Sequence, residues 1–132
     1  MNKQRILLVD DDPDQRLSLR LPLEAAGFEV GESASFEEGL ETVKTFKPDL
    51  VILDVMMDTT TAGFQFALSL HDSDPDSEFY EFHETPIIMV TAIHSTTSLR
   101  FVPDESYLPV QAFLEKPIDS KVLLETVRTL LG

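Results

Sequence analysis

The stretch Leu50-Val51-Ile52-Leu53-Asp54 decides how this chain of 132 residues is expected to fold. Four branched aliphatic residues follow one another without alternation, Pro48 stands shortly before them, and the run ends at a carboxylate. Such a run is typical of a strand that is covered on both faces, as in a parallel sheet. Ligands bind to these sheets outside the carboxyl ends of the strands, so Asp54 is a candidate functional residue.

Helical patterns separate four further apolar runs of strand length, which comprise residues 6–9, 28–31, 86–91 and 110–114. This alternation predicts an α/β domain of the doubly wound type, a (βα)5 flavodoxin-like parallel sheet with strand order 2-1-3-4-5. The fourth crossover, residues 95–109, is expected to be irregular because two prolines interrupt it. The length and apolar content suit a single domain over residues 1–132.

The first helix is expected to begin at Asp12, whose side chain is a suitable N-cap. Pro22 is expected to kink or break this helix near Leu21, because an internal proline costs about 3 kcal/mol. The apolar stripe expected to face the core comprises Leu17, Leu21 and Ala25.

Three more helices are indicated further along the chain. The second opens at a capping box that starts at Ser35 and runs to about Phe46, and a short third helix is expected at residues 64–70. Residues 71–84 are acidic but contain aromatic side chains, which predicts a surface excursion partly anchored by those rings. The last helix is predicted to begin at Asp119 as N-cap and to bury Leu123, Val127, Leu130 and Leu131.

The charged residues are strongly unbalanced, with 24 Asp and Glu against 10 Lys and Arg and a formal net charge of −14. This argues against unaided binding to nucleic acid or to an anionic membrane, since both require clustered cations. Cysteine is absent, which excludes disulfides and thiolate metal sites. No segment has the length of a membrane span or of a signal-peptide core, so a cytoplasmic location is expected.

Four of the predicted strands end in reactive or charged groups: Asp10 with Asp11, Asp54, Thr91 and Lys116. The carboxyl ends of parallel strands lie on one edge of the sheet, so these side chains are expected to converge. Three carboxylates brought together repel one another, and Mg²⁺ with oxygen ligands is the simplest relief. Asp54 is then a nucleophile suited to accept a phosphoryl group, with the hydroxyl and ammonium groups neutralising its oxygens.

The chain resembles the receiver domain of two-component response regulators over its whole length. Four motifs carry the resemblance and occur in the expected order: Leu8-Val9-Asp10-Asp11-Asp12-Pro13, Pro48-Asp49-Leu50-Val51-Ile52-Leu53-Asp54-Val55-Met56-Met57, Pro86-Ile87-Ile88-Met89-Val90-Thr91-Ala92, and Phe113-Leu114-Glu115-Lys116-Pro117. Each motif alone is modest, and their combination is specific.

The resemblance implies a role for each matched site residue. Asp54 would be the phosphoacceptor, and Asp11 would bind Mg²⁺ directly. Asp10 would act nearby or through water, and the backbone carbonyl of Met56 would contribute to the metal site. The groups expected to contact the phosphoryl group are Thr91 and Lys116.

The resemblance also implies a switch and a set of partners. Thr91 would move toward the phosphoryl group and let Phe113 turn inward, which would change the surface near strands four and five. A core aromatic without a switching role is an equally open interpretation of Phe113. The phosphoryl donor would be a sensor histidine kinase or a histidine phosphotransfer protein, and the downstream target would be a protein.

Two alternatives remain open at the level of sequence. The first is a Mg²⁺-dependent phosphohydrolase with Asp54 as nucleophile, although enzymes of the haloacid dehalogenase type need a second acid where this chain has Met56. The second is that the chain is the N-terminal receiver part of a longer regulator.

Overall fold

The computed structural model describes residues 3–55, 60–91, 112–115 and 118–131. Five strands form one sheet in the predicted order β2-β1-β3-β4-β5, and every neighbouring pair is parallel. The strands are β1 Arg5–Val9, β2 Glu29–Ser33, β3 Leu50–Val55, β4 Ile87–Thr91 and β5 Ala112–Glu115. The predicted fold class is therefore confirmed, whereas the expected irregular crossover at residues 95–109 lies outside the described residues.

The strand bounds differ slightly from the expected ones. The second strand was predicted at residues 28–31 and lies at Glu29–Ser33, because its parallel register with β1 pairs Arg5 with Glu29 and Val9 with Ser33. The register thus carries the strand beyond its weak apolar run and up to the edge where β1 also ends.

The helices are α1 Pro13–Ala25, α2 Phe36–Phe46, α3 Thr60–Leu70 and α4 Ser120–Leu131, and residues Tyr80–Phe82 form a short 3-10 helix. The predicted caps are confirmed: the side chains of Asp12, Ser35 and Asp119 accept hydrogen bonds from backbone N–H groups in the first turns of α1, α2 and α4. The third helix begins at Thr60 rather than at residue 64. Threonine and glycine have low intrinsic helix propensity, which is why the sequence pointed to a later start.

The buried face of α1 was predicted wrongly. Leu17 and Leu21 are 51% and 58% exposed, whereas Leu19 and Leu23 are buried. Leucine occupies every second position in this part of the helix, so two stripes on opposite faces fit the pattern equally well. In the structure the face with Leu19 and Leu23 is turned to the core, while arginines of α1 pair with β2, as described below.

Pro22 does not break α1. The helix continues to Ala25, and Leu23, which follows the proline, is fully buried. Burial of such a side chain stabilises the fold by about 1.5–3 kcal/mol, which is comparable with the cost of about 3 kcal/mol for an internal proline.

The sheet separates two hydrophobic layers, because alternate side chains of each strand point to opposite faces. On one face, Leu7 and Val9 of β1 pack with α2, α3 and the segment that precedes β4. On the other face, Ile6 and Leu8 pack with α1 and α4. The predicted buried residues of α4 lie in this second layer, with Leu123 and Val127 fully buried.

The acidic segment before β4 is anchored by its aromatic rings, as predicted. Phe79 and Phe82 are buried in the layer formed by α2 and α3, whereas Tyr80 is exposed. Lys44 of α2 donates a hydrogen bond of 2.6 Å to Glu78. The segment is therefore a packed part of the fold, with its acidic side chains in solvent.

Candidate functional site

Two buried carboxylates lie side by side at the carboxyl edge of the sheet. The register of β1 and β3 pairs Val9 with Leu53, so Asp10 and Asp54 each stand one residue beyond the last paired positions. Asp10 is 5% exposed and Asp54 is 9% exposed. Carboxylates are rarely buried to this extent, because burial penalises the charged form.

A third carboxylate joins them at an open cleft of about 270 Å³. Asp11 is exposed on the loop after β1 and lines this cleft together with Asp10 and Asp54. The cleft is also lined by Ala34 and Ser35, which connect β2 to α2, and by Phe36, the first residue of α2. The structure thus brings the three acidic residues of the predicted site to one cavity.

Backbone hydrogen bonds hold Asp10 in place from both sides. Its N–H donates to the carbonyl oxygen of Ser33 at the end of β2, at 3.0 Å. Its Oδ1 accepts a hydrogen bond of 2.9 Å from the N–H of Asp12. The turn that carries the first two acidic residues is therefore fixed to both β2 and the start of α1.

Arg16 of α1 adds a further contact to this turn. Its Nη1 donates to the backbone carbonyl oxygen of Asp10, and its Nε donates to Glu32 Oε1 of β2 at 2.8 Å. Arg20, one helical turn further on, also donates to Glu32. Burial raises the pKa of Glu32, but the hydrogen bonds from both arginines outweigh burial and hold the pKa below its ordinary value.

The sequence interpretation did not single out Arg16 or Glu32. Two arginines one turn apart on α1 and two glutamates in β2 are the only local signal. That signal does not specify which glutamate the arginines reach, because the partners lie far apart along the chain.

The donor chemistry of the cleft suits a hard divalent cation. All three acidic groups offer oxygen atoms, and Mg²⁺ takes one or two protein carboxylates while keeping several water ligands. Within residues 3–55, 60–91, 112–115 and 118–131, no three His, Asp or Glu side chains are gathered closely enough to enclose a metal ion by themselves. Such a site would be open to solvent and would keep several water ligands. Met56, whose backbone carbonyl is expected to contribute, lies outside the described residues.

The other predicted site residues are described only in part. Thr91 is the last residue of β4 and pairs with Val55 of β3, so its backbone lies at the same edge as Asp54. Phe113 lies within β5 and pairs with Met89. Lys116 lies outside the described residues. The roles expected for Thr91, Lys116, Met56 and Phe113 stay predictions.

The fold and the cleft define a class of protein, a parallel α/β domain with acidic residues at the ends of its first and third strands. A family model described as the response regulator receiver domain matches residues 6–128. The chain belongs to this family, and the expected resemblance to receiver domains of two-component systems is confirmed.

Individual relatives agree with this assignment. The chain is 29% identical to Protein PilH of Pseudomonas aeruginosa over 128 residues, which covers 97% of this chain and 98% of PilH. It is 34% identical to Response regulator Rre1 of Synechocystis sp. over 128 residues, which covers 96% of this chain and 51% of Rre1. The chain thus matches nearly all of PilH but only about half of the longer regulator.

A solved structure shows the same fold. The chemotaxis response regulator CheY4 of Vibrio cholerae superimposes with a TM-score of 0.72 at 28% identity, covering 98% of this chain and 99% of CheY4. Among the helices that the structure describes, none is both long and apolar enough to cross a membrane.

Proposed function

We propose that this chain is a Mg²⁺-dependent, phosphoryl-accepting signalling domain of a two-component or phosphorelay system. The observation that carries the proposal is the position of Asp54, a buried carboxylate beside Asp10 at a cleft that Asp11 also lines. A lone solvent-exposed carboxylate has no means of stabilising charge that develops on an incoming phosphoryl group. Asp54 shares its cleft with two further carboxylates that could hold a cation, and a bound cation would stabilise that charge.

The proposed reaction is one transfer from a phosphohistidine donor. A carboxylate oxygen of Asp54 attacks phosphorus, the phosphorus–nitrogen bond of the donor breaks, and the imidazole keeps the bonding electron pair and takes up a proton. The product is an acyl phosphate on Asp54. Because Asp54 is buried, a phosphoryl donor can reach its carboxylate only from the open side of the cleft, which fixes the direction of attack.

Receiver domains are generally Mg²⁺-binding, and the acidic cluster supports the same role here. The groups proposed to hold the ion are Asp10, Asp11, Asp54 and the backbone carbonyl of Met56. When bound, the ion neutralises charge on the phosphoryl oxygens and on the carboxylates. Thr91 and Lys116 are proposed to contact the phosphoryl group, and Thr91 with Phe113 to transmit its arrival to the surface near β4 and β5.

Receiver domains typically act through protein contacts rather than turnover, and they interact with histidine kinases or phosphotransfer proteins. We extend this to the present chain as a single domain over residues 1–132, in the cytoplasm, with a downstream protein target. The net charge of −14 supports protein partners over nucleic acid or anionic membranes.

The test is phosphorylation with acetyl phosphate and Mg²⁺, followed by intact mass measurement. The unsubstituted chain should gain the mass of one phosphoryl group, and Asp54→Asn should gain none. Asp119→Asn is the matched control, because it removes a carboxylate that does not line the cleft and asparagine caps a helix equally well. Uptake by Asp54→Asn would contradict the assignment of the phosphoacceptor. Sustained release of phosphate from small phosphate esters would replace the proposal with a phosphohydrolase.

A further inference from the structure

The contact between Arg16 and the Asp10 carbonyl is directed at the peptide bond that joins two residues of the acidic site. The carbonyl oxygen of Asp10 belongs to the planar unit that continues into the N–H of Asp11. The orientation of that plane sets the direction in which both side chains leave the backbone. A hydrogen bond at this oxygen therefore acts on two of the three carboxylates at once.

The guanidinium that makes this contact is itself fixed. Arg16 and Glu32 are 17% and 27% exposed, and the Nε–Oε1 distance is 2.8 Å. Nη1 of Arg20 donates a hydrogen bond to the other carboxylate oxygen of Glu32, Oε2. Because the arginine fork is planar and rigid, holding one nitrogen on Glu32 aims another at the Asp10 carbonyl.

The same strand holds the other side of Asp10 directly. The carbonyl of Ser33, which follows Glu32 in β2, accepts the N–H of Asp10. Both peptide groups that flank Asp10 are thus linked to β2 by hydrogen bonds. The N–H of Asp10 bonds to the strand directly, and its carbonyl is linked to the strand through Arg16. The acidic turn is held relative to the sheet rather than by α1 alone.

We propose that Arg16, oriented by Glu32, is a positioning residue that sets the Mg²⁺ affinity of the cleft by fixing the peptide between Asp10 and Asp11. This inference rests on the proposed function, since it assigns a role at the same site. Partners that orient metal ligands without touching the metal commonly change affinity by 10- to 100-fold when they are removed.

The charge of Arg16 alone predicts the opposite effect of its removal on Mg²⁺ affinity. Arg16 is a positive charge near a cation site, so its removal should strengthen Mg²⁺ binding if charge were its only contribution. A loss of affinity would therefore report positioning. Arg20 provides the matched comparison, because it also pairs with Glu32 but no hydrogen bond from it to the acidic turn is described.

The experiment compares Arg16→Gln, Arg16→Lys and Arg20→Gln with the unsubstituted chain. The Mg²⁺ dissociation constant is measured by calorimetry at constant ionic strength, and the free energy of unfolding is measured without Mg²⁺. We expect the dissociation constant of Arg16→Gln to rise about tenfold, and that of Arg20→Gln to stay level or fall. Arg16→Lys keeps the charge but loses the fork, so it should resemble Arg16→Gln.

A metal-free readout accompanies the binding data. In Mg²⁺-free buffer, the N–H of Asp12, which donates to Asp10, should exchange with solvent about tenfold faster in Arg16→Gln than in Arg20→Gln, the factor expected for one lost charge-assisted hydrogen bond. Equal exchange rates in the two variants would count against the positioning role.

The outcomes separate the two proposals. If the unsubstituted chain binds Mg²⁺ and takes up a phosphoryl group but Arg16→Gln matches Arg20→Gln in affinity, only the positioning role is overturned. Full affinity in Arg16→Lys overturns it as well, since charge alone would then suffice. If the unsubstituted chain neither binds Mg²⁺ nor accepts a phosphoryl group, the proposed function itself fails.

Discussion

Asp10 and Asp54 are carboxylates at the carboxyl edge of the sheet, 5% and 9% exposed, and lie just beyond the paired residues of β1 and β3. Two carboxylates in such a position repel each other, and burial removes the water that would screen them. A bound cation would offset this repulsion, in agreement with the proposed cation site. Asp11 is exposed, so an ion could reach the site directly from solvent.

Glu32 makes the stability of the fold depend on pH in the acid range. Because its pKa is held below the ordinary value, its ion pairs stabilise the folded state above the unfolded pKa of about 4.3, and this contribution is lost as the pH falls through the lowered folded value. We expect the free energy of unfolding to drop less steeply on acidification in Glu32→Gln than in the parent. Urea unfolding at several pH values checks this, and two parallel curves would contradict it.

In helix α1, the sequence pattern alone did not identify which leucines are buried. Leu21 and Leu23 are two residues apart, yet the first is 58% exposed and the second is fully buried. We expect Leu23→Ala to lower the free energy of unfolding by about 2–5 kcal/mol, and Leu21→Ala to change it by less than about 0.5 kcal/mol. Denaturant titration measures both, and similar losses in the two variants would mean that the helix is rotated.

The segment between α3 and β4 yields a second prediction for a single element. Phe82 is 4% exposed in the core layer under α2 and α3, and Tyr80 on the same 3-10 helix is 39% exposed. We expect Phe82→Ala to cost about 3–5 kcal/mol of folding stability, because it leaves a cavity among fixed neighbours. Tyr80→Ala should cost far less, and thermal melting of both variants checks the difference.

The sheet and the acidic residues of the cleft could be predicted from the sequence because their signals are local. An apolar run that stops at Asp54, and another that stops before Asp10, indicate both the strand and its functional end. The rotation of α1 could not be predicted, since its leucine pattern fits two opposite faces, and the contacts of Arg16 and Arg20 with Glu32 join residues far apart in the chain. The start of α3 was placed too late because residues of low helix propensity are helical here.

At the scale of the whole molecule, the net charge of −14 makes the folded chain sensitive to cations of every kind. Monovalent salt should stabilise it by screening, and Mg²⁺ should stabilise it further by binding the native state. At a concentration one hundred times the dissociation constant, the additional free energy of unfolding should be about 2.7 kcal/mol.

The measurement compares thermal unfolding in MgCl₂ and NaCl at equal ionic strength. The difference between the two salts should disappear in Asp54→Asn, because that variant lacks one of the proposed oxygen ligands. Identical melting of the parent in both salts would show that Mg²⁺ acts only by screening.

The docking of the segment before β4 has a practical consequence for watching this protein at work. Its base is fastened by two phenylalanine rings, whereas residues 72–76 protrude into solvent. The chain contains no cysteine, so Ser73→Cys would create a unique thiol on that protrusion. The segment leads into the start of β4, so a fluorophore attached there would lie at the end of the sheet opposite the acidic cleft. Its fluorescence anisotropy should rise when a partner binds, because the complex tumbles more slowly.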